Sequence, residues 1–119
     1  MKKIMVVDDN KDLRDIIKRI LDKEGFETIL AEDGDDLLEK VRTLPSKPDL
    51  ILLDIMMPGT PVKEVIEKVE DIKIAFISAV GISDKDKQEL SLKNNVVDFI
   101  QKPFYADDLI KTVKNLVGE

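Results

Sequence analysis

Short apolar runs that alternate with segments of helical periodicity constrain the fold of this chain most strongly. Three runs are apolar on both faces, at residues 4–7, 50–53 and 74–77. Runs of this kind are typical of strands inside a parallel sheet that helices cover on each side. Residues 28–31 and 96–100 are predicted to form the remaining strands, with the former at an edge of the sheet.

Between these runs, apolar residues recur every three or four positions, which predicts amphipathic helices. The four clear stripes are Leu13, Ile16, Ile17, Ile20 and Leu21; Leu37, Leu38, Val41 and Leu44; Val62, Val65, Ile66 and Val69; and Ala106, Leu109, Ile110, Val113, Leu116 and Val117. Gly25 and Pro45 stand where the first two helices should end. Five strand–helix alternations predict an α/β fold, an open, doubly wound parallel sheet of five strands with five helices, as one domain over residues 1–119.

The segment 84–94 differs from the other helical segments because it contains few apolar residues, mainly Leu90 and Leu92. Ser83 is its predicted N-cap, with Asp86 as the capping-box partner three residues later. A helix with so little to bury should be the least tightly held of the five.

The amino-acid composition excludes several classes of functional site and argues against others. The chain has no cysteine and no histidine, which excludes disulfides, thiolate or histidine catalysis and most transition-metal sites. Its net charge of −6 argues against binding to nucleic acid or to an anionic membrane surface. No apolar stretch is long enough for a membrane span or a signal-peptide core, so we expect a cytoplasmic location.

Polar residues follow the predicted strands directly. They are Asp8 and Asp9 after the first strand, Asp54 after the third, Ser78 after the fourth and Lys102 after the fifth. Taken singly, such residues are most often helix caps, turn residues or solvated surface groups. Because sites in open α/β sheets form at the carboxyl ends of the strands, we expect these five to converge on one edge.

Three clustered carboxylates would repel one another unless a cation lies among them. Oxygen ligands without histidine or cysteine favour Mg²⁺, with Mn²⁺ as an alternative. A carboxylate beside Mg²⁺ and a lysine can attack a phosphoryl group and form an aspartyl phosphate. The cluster therefore predicts phosphoryl chemistry at this edge.

Four motifs in this order resemble the response-regulator receiver domains of two-component signalling over essentially the whole chain. The motifs are VVDD at residues 6–9, LDIMMPG at 53–59, ISA at 77–79 and KPF at 102–104. The resemblance implies a flavodoxin-like strand order and a phosphoprotein of a phosphorelay. It also implies that Asp54 is the phosphoacceptor, and that Asp8, Asp9, Asp54 and the backbone carbonyl of Met56 bind Mg²⁺.

The resemblance further implies a switch. Ser78 is the hydroxyl that senses the phosphoryl group, Lys102 pairs with the phosphate, and the bond preceding Pro103 is expected to be cis. Phe99 occupies the aromatic switch position, although a plain core aromatic would also suit it. Phosphorylation would then rearrange the surface of the fourth helix, fifth strand and fifth helix.

The implied partners are a histidine kinase or phosphotransfer protein, which supplies the histidine that this chain lacks, and a downstream effector. Direct binding to nucleic acid or membrane is not expected. A phosphorylation-dependent homodimer, and a place either as a stand-alone protein or as the first domain of a longer one, are left open. The domain would assist its own phosphorylation and dephosphorylation without being an enzyme.

Several positions depart from the family pattern. Pro61 and Val62 stand where an Asp and a Gly are common, which predicts a stiffer loop before the third helix. Asn95 stands where a glycine is common, which predicts a left-handed turn. Met56 and Val80 flank the expected path of a hydrolytic water, and since neither can orient it, a long-lived phosphoryl state is predicted.

Three other functions would make different demands on the sequence. An aspartate-nucleophile phosphatase would need a second Asp two residues after Asp54, where Met56 stands. A degenerate receiver that acts as a non-phosphorylated interaction module would be expected to have lost part of the acidic cluster or Lys102. A flavin carrier would need a Ser/Thr/Gly-rich phosphate loop after the first strand, where the acidic segment 8–12 would repel a phosphate.

Overall fold

The structure, a computed structural model, describes residues 1–55, 60–78 and 83–118. Its strands are β1 (Lys3–Val7), β2 (Glu27–Ala31), β3 (Leu50–Asp54), β4 (Lys73–Ser78) and β5 (Val96–Gln101). Its helices are α1 (Lys11–Lys23), α2 (Gly34–Thr43), α3 (Val62–Lys68), α4 (Asp84–Ser91) and α5 (Ala106–Val117). These bounds confirm the alternation that the sequence predicts.

The strands form one parallel sheet in the order β2-β1-β3-β4-β5. β3 lies at the centre, and β2 lies at an edge as predicted. β1 and β3 are neighbours, with Val7 opposite Leu53, so the residues that follow these two strands emerge side by side. The predicted doubly wound, flavodoxin-like α/β fold is confirmed.

The core consists of one apolar layer on each face of the sheet. Along β1, Met5 and Val7 pack on the side of α2, α3 and α4, whereas Ile4 and Val6 pack on the side of α1 and α5. Every residue of β3 is buried. Burial on both faces explains why these strands are apolar at consecutive positions.

Two of the predicted helix ends lie close to the observed ones. α1 ends at Lys23, two residues before Gly25, which adopts a left-handed backbone with φ of 87°. α2 ends at Thr43, before Pro45. Within the described part of the chain, no helix combines the length and apolar character that crossing a bilayer requires.

α4 is shorter than the predicted segment 84–94. Ser83 caps it as predicted, with its hydroxyl accepting the Asp86 N–H at 3.1 Å. Leu90 is the one buried residue of the helix. Leu92, the other main apolar residue of the predicted segment, lies beyond the last helical turn and is 82% exposed.

The left-handed turn predicted at Asn95 was also wrong, because no residue other than glycine has a positive φ within the described ranges. Asn95 is instead buried, and its side-chain amide donates to the carbonyl oxygens of Ile66, at 3.3 Å, and Val69, at 3.2 Å. These carbonyls also accept the backbone N–H groups of Val69 and Ile72, so the amide adds a second donor to each at the end of α3. Pro61 occupies the N-cap position of α3 with φ of −55°.

Candidate functional site

Three carboxylates meet at the carboxyl edge of the central strands. Asp8 directly follows β1, Asp54 is the last residue of β3, and Asp9 follows Asp8. One carboxylate oxygen from each lies within 4.8 Å of those of the other two. Asp8 and Asp54 are only 2% and 5% exposed, whereas Asp9 is exposed to solvent. The predicted convergence of these acids is therefore observed.

Asp8 is held by the turn that leads into α1. Its backbone N–H donates to the carbonyl oxygen of Ala31 at 3.2 Å, which ties the end of β1 to the end of β2. Its Oδ1 accepts the Asn10 N–H at 2.9 Å. Asn10 in turn caps α1 by accepting the Leu13 N–H at 3.2 Å. The helix start therefore fixes the position of the first acid.

Lys102 is the residue directly after β5, and its side chain extends into the acidic cluster. Its Nζ lies 2.9 Å from Oδ2 of Asp8 and 3.5 Å from Oδ2 of Asp54. Its backbone N–H donates to the carbonyl oxygen of Ser78 at 2.7 Å, and its peptide bond to Pro103 is cis. The lysine thus lies between two acids at the carboxyl ends of different strands.

Two opposing effects act on the Lys102 ammonium. Burial disfavours the charged form and by itself would lower the pKa of this group. The hydrogen bond to Asp8 and the negative charge of Asp54 favour the charged form and together outweigh burial. The pKa of Lys102 is therefore raised, so the side chain remains a cation across the physiological pH range.

Ser78 is the last residue of β4 and is 6% exposed. The register places Asp54 opposite Ile77, so Ser78 follows directly at the same edge of the sheet. Met56, whose backbone carbonyl is the remaining predicted metal ligand, lies outside the described residues, as does Val80.

Phe99 lies on β5 and is half-buried on the side of the sheet that α3 and α4 cover. Its ring centroid is 5.4 Å from that of Phe76, a core residue of β4. Nζ of Lys87, on α4, lies 5.2 Å from the Phe99 ring centroid. Phe99 thus contacts both the core and the helix with the fewest buried residues.

Two side chains in this region were missed by sequence reasoning. Lys87 was missed because its approach to Phe99 depends on how α4 packs, which no local pattern specifies. Arg14 donates from Nη1 to the carbonyl oxygen of Asp8 at 2.6 Å, and its position in the sequence could have predicted this contact. It lies four residues after the capping residue Asn10, the spacing that brings a side chain back over the start of its helix.

The arrangement suits two kinds of chemistry. Three carboxylates that converge without nitrogen or sulfur ligands offer the oxygen donors that hard divalent cations prefer. A buried carboxylate with an ammonium at 3.5 Å can act as a nucleophile towards a group whose charge the ammonium neutralises. Phosphoryl transfer needs both features together.

The chain matches known proteins over nearly its full length. The family model described as the response regulator receiver domain matches residues 4–114. A CheY-like response regulator receiver domain protein from Methanospirillum hungatei JF-1 is 32% identical with a TM-score of 0.83, covering 98% of this chain and 94% of that one. Vibrio cholerae chemotaxis protein CheY4 is 27% identical with a TM-score of 0.83, covering 98% of both chains.

NtrX from Brucella abortus is 32% identical with a TM-score of 0.81, and the match covers 99% of this chain but 26% of NtrX. The same domain thus occurs both in proteins of this length and within a longer one. Together with the family match and the strand order, these likenesses show that the chain belongs to the receiver domain family of two-component response regulators.

Proposed function

We propose that Asp54 accepts a phosphoryl group from a histidine kinase or a phosphotransfer protein. The observation that carries this proposal is the placement of the Lys102 ammonium between the carboxylates of Asp8 and Asp54, at 2.9 and 3.5 Å. A lysine there neutralises charge on a phosphoryl group that arrives at Asp54, and it also reduces repulsion among the acids before the group arrives.

In the proposed step, a carboxylate oxygen of Asp54 attacks the phosphorus atom of the donor phosphohistidine. The new O–P bond forms as the P–N bond breaks, and the electron pair of that bond remains on the donor imidazole. The product is an aspartyl phosphate, with Lys102 and the Ser78 hydroxyl as partners for the phosphoryl oxygens. The domain assists this transfer and its later hydrolysis but turns over no independent substrate, so we do not class it as an enzyme.

The residues present fit a magnesium ion. Asp8, Asp9 and Asp54 would provide oxygen ligands directly or through water, and the backbone carbonyl of Met56 stays a predicted further ligand. Bound Mg²⁺ would neutralise charge on the transferring group. Mn²⁺ has similar ligand preferences and is the proposed substitute.

We propose that α4 is the element that shifts when Asp54 is phosphorylated. Leu90 is its one buried residue, and two ion pairs join the α4 region to α3, Lys63 with Glu89 at 2.9 Å and Lys93 with Glu67 at 3.1 Å. Exposed ion pairs of this kind each contribute about 0–1 kcal/mol. Little free energy therefore opposes a shift of α4.

In this proposal, Ser78 moves towards the phosphoryl group, and Phe99 turns into the space it leaves. The ring contacts Phe76 at 5.4 Å and lies beneath Lys87 at 5.2 Å, so its rotation would alter the surface that α4, β5 and α5 share. A downstream effector would recognise this surface, and a phosphorylation-dependent homodimer through it stays a prediction. The cytoplasmic location and the long-lived phosphoryl state also stay predictions.

Intact-mass spectrometry after incubation with acetyl phosphate tests the proposal, with and without Mg²⁺. We expect one added phosphoryl group that requires Mg²⁺ and is absent from Asp54→Asn. Glu70→Gln makes the same change in charge at an exposed position and should be phosphorylated like the parent. If a folded parent shows no adduct under any condition, the proposal is overturned in favour of a degenerate interaction module.

A further inference from the structure

Asp8 has a partner for each of its polar groups. Its N–H donates to Ala31, its Oδ1 accepts from Asn10, and its Oδ2 lies 2.9 Å from Nζ of Lys102. Its carbonyl oxygen accepts a hydrogen bond from Nη1 of Arg14 at 2.6 Å. The contacts with Ala31 and Asn10 hold the end of β1, and the contact with Lys102 belongs to the proposed phosphoryl transfer. The contact with Arg14 is the one of these four that has no role so far.

Arg14 reaches this carbonyl because of where it lies on α1. Its backbone N–H donates to the carbonyl oxygen of Asn10 at 3.0 Å, which places it one turn into the helix. Helical side chains lean towards the N-terminus, so its guanidinium extends back to the end of β1. Within the described ranges Arg14 forms no salt bridge, and its guanidinium donates to a neutral carbonyl instead.

That carbonyl belongs to the peptide group that joins Asp8 to Asp9. The peptide group is planar, so its oxygen and both flanking Cα atoms move together. A strong donor on the oxygen therefore restrains the plane from which both acidic side chains leave the backbone. Asp9 depends on this restraint, because within residues 1–55, 60–78 and 83–118 its exposed carboxylate accepts no hydrogen bond.

We infer that Arg14 is a positioning residue for the divalent cation: it holds the peptide plane between Asp8 and Asp9 so that both carboxylates face the site. This inference rests on the proposed function, since it concerns the same cluster. Groups that orient metal ligands without touching the metal typically change affinity by about 10- to 100-fold when they are removed.

The test compares Arg14→Met with Arg19→Met. Methionine keeps an apolar stem but removes the donor, and Arg19 is an exposed arginine on the same helix. Isothermal titration of the metal-free proteins with Mg²⁺ gives each dissociation constant. We expect binding to weaken about 10-fold in Arg14→Met and to stay at the parent value in Arg19→Met. A loss below threefold relative to Arg19→Met would overturn the inference.

A second measurement separates positioning from a general structural effect. With acetyl phosphate, the Mg²⁺ concentration for half-maximal phosphorylation of Arg14→Met should rise in step with the dissociation constant, while the rate at saturating Mg²⁺ stays within about twofold of the parent. A lower plateau at unchanged half-saturation would contradict a role in cation positioning.

Urea denaturation of the metal-free proteins shows whether Arg14→Met is folded. Should it not fold, Arg14→Leu, which also removes the donor, takes its place under the same threefold criterion. Failure of the proposed function has a different signature, because the parent itself would then bind no Mg²⁺ and form no adduct.

Discussion

Removing the charge of Asp9 should stabilise the metal-free domain. The carboxylate oxygens of Asp8, Asp9 and Asp54 lie within 4.8 Å of one another. At that separation, two unit charges repel by about 0.9 kcal/mol in water and by about 3.5 kcal/mol at an effective dielectric constant of 20. Asp9 is exposed, so its repulsion lies near the lower value.

The described ion pairs of Lys102 join it to Asp8 and Asp54, so Asp9→Asn removes repulsion without breaking either of them. We expect a net gain of about 1 kcal/mol at low ionic strength, which corresponds to a rise in Tm of roughly 3–5 °C for a domain of this size. The gain should shrink as salt is added, because the repelling charge is exposed.

Thermal unfolding followed by circular dichroism measures this effect in EDTA and again with excess Mg²⁺. Parent protein at 100 times the dissociation constant of Mg²⁺ should gain about 2.7 kcal/mol, and Asp9→Asn should lose most of that gain. Glu70→Gln, with the same change in net charge, should behave like the parent in both buffers. If Asp9→Asn has the Tm of Glu70→Gln in EDTA and keeps the full response to Mg²⁺, the acids neither repel as argued nor bind the ion.

Three further predictions concern stability and are measured by urea denaturation. Asn95→Ala removes two hydrogen bonds from a buried amide to carbonyls at the end of α3, so the free energy of unfolding should fall by about 1–3 kcal/mol. An unchanged midpoint would contradict this role. Lys87→Met removes the cation over the Phe99 ring and should lower the free energy of unfolding by about 0.5–1 kcal/mol. An equal loss when Lys87→Met is made in a variant that already lacks the ring would show that the contact between cation and ring is not its cause. A hydrogen bond from Lys18 lowers the pKa of Asp22, so this carboxylate stabilises the fold above its unfolded pKa and ceases to do so as pH falls through its folded pKa. Asp22→Asn should therefore make the free energy of unfolding less dependent on acid pH. Parallel curves of this free energy against pH for parent and variant would refute the prediction.

The acidic site could be predicted because it follows from strand ends. A run that is apolar on both faces marks a buried parallel strand, and the first polar residue after it must lie at the carboxyl edge. This reasoning placed Asp54, Ser78 and Lys102 at one edge, and the structure brings them there. Asp8 joins them because β1 lies next to β3, in agreement with the flavodoxin-like strand order that the resemblance implies.

Features that depend on packing between distant elements could not be predicted in the same way. In the sequence, Asn95 looks like a turn residue. Its hydrogen bonds to α3 could not be predicted from the local pattern, because they connect positions 29 and 26 residues apart. Leu92 looks like part of an apolar stripe, but α4 ends at Ser91 and leaves it in solvent. A local pattern shows which residues of a segment are apolar or polar. Whether those residues become buried, and which partners they contact, depends on how distant elements pack in the assembled fold.

The fold holds β3, which carries the proposed acceptor Asp54, and α4 with very different strength, and this difference bears on the proposed movement of α4. β3 is buried along its whole length, whereas Leu90 is the one buried residue of α4. Deleting a large buried side chain costs about 2–5 kcal/mol, but the Lys87–Phe99 contact contributes only about 0.5–1 kcal/mol. Phe99 also contacts Phe76 of the core, so its ring touches both regions. A shift at Asp54 that reaches this ring would therefore move α4 before it moves any strand, because α4 is the neighbour that the least free energy holds in place.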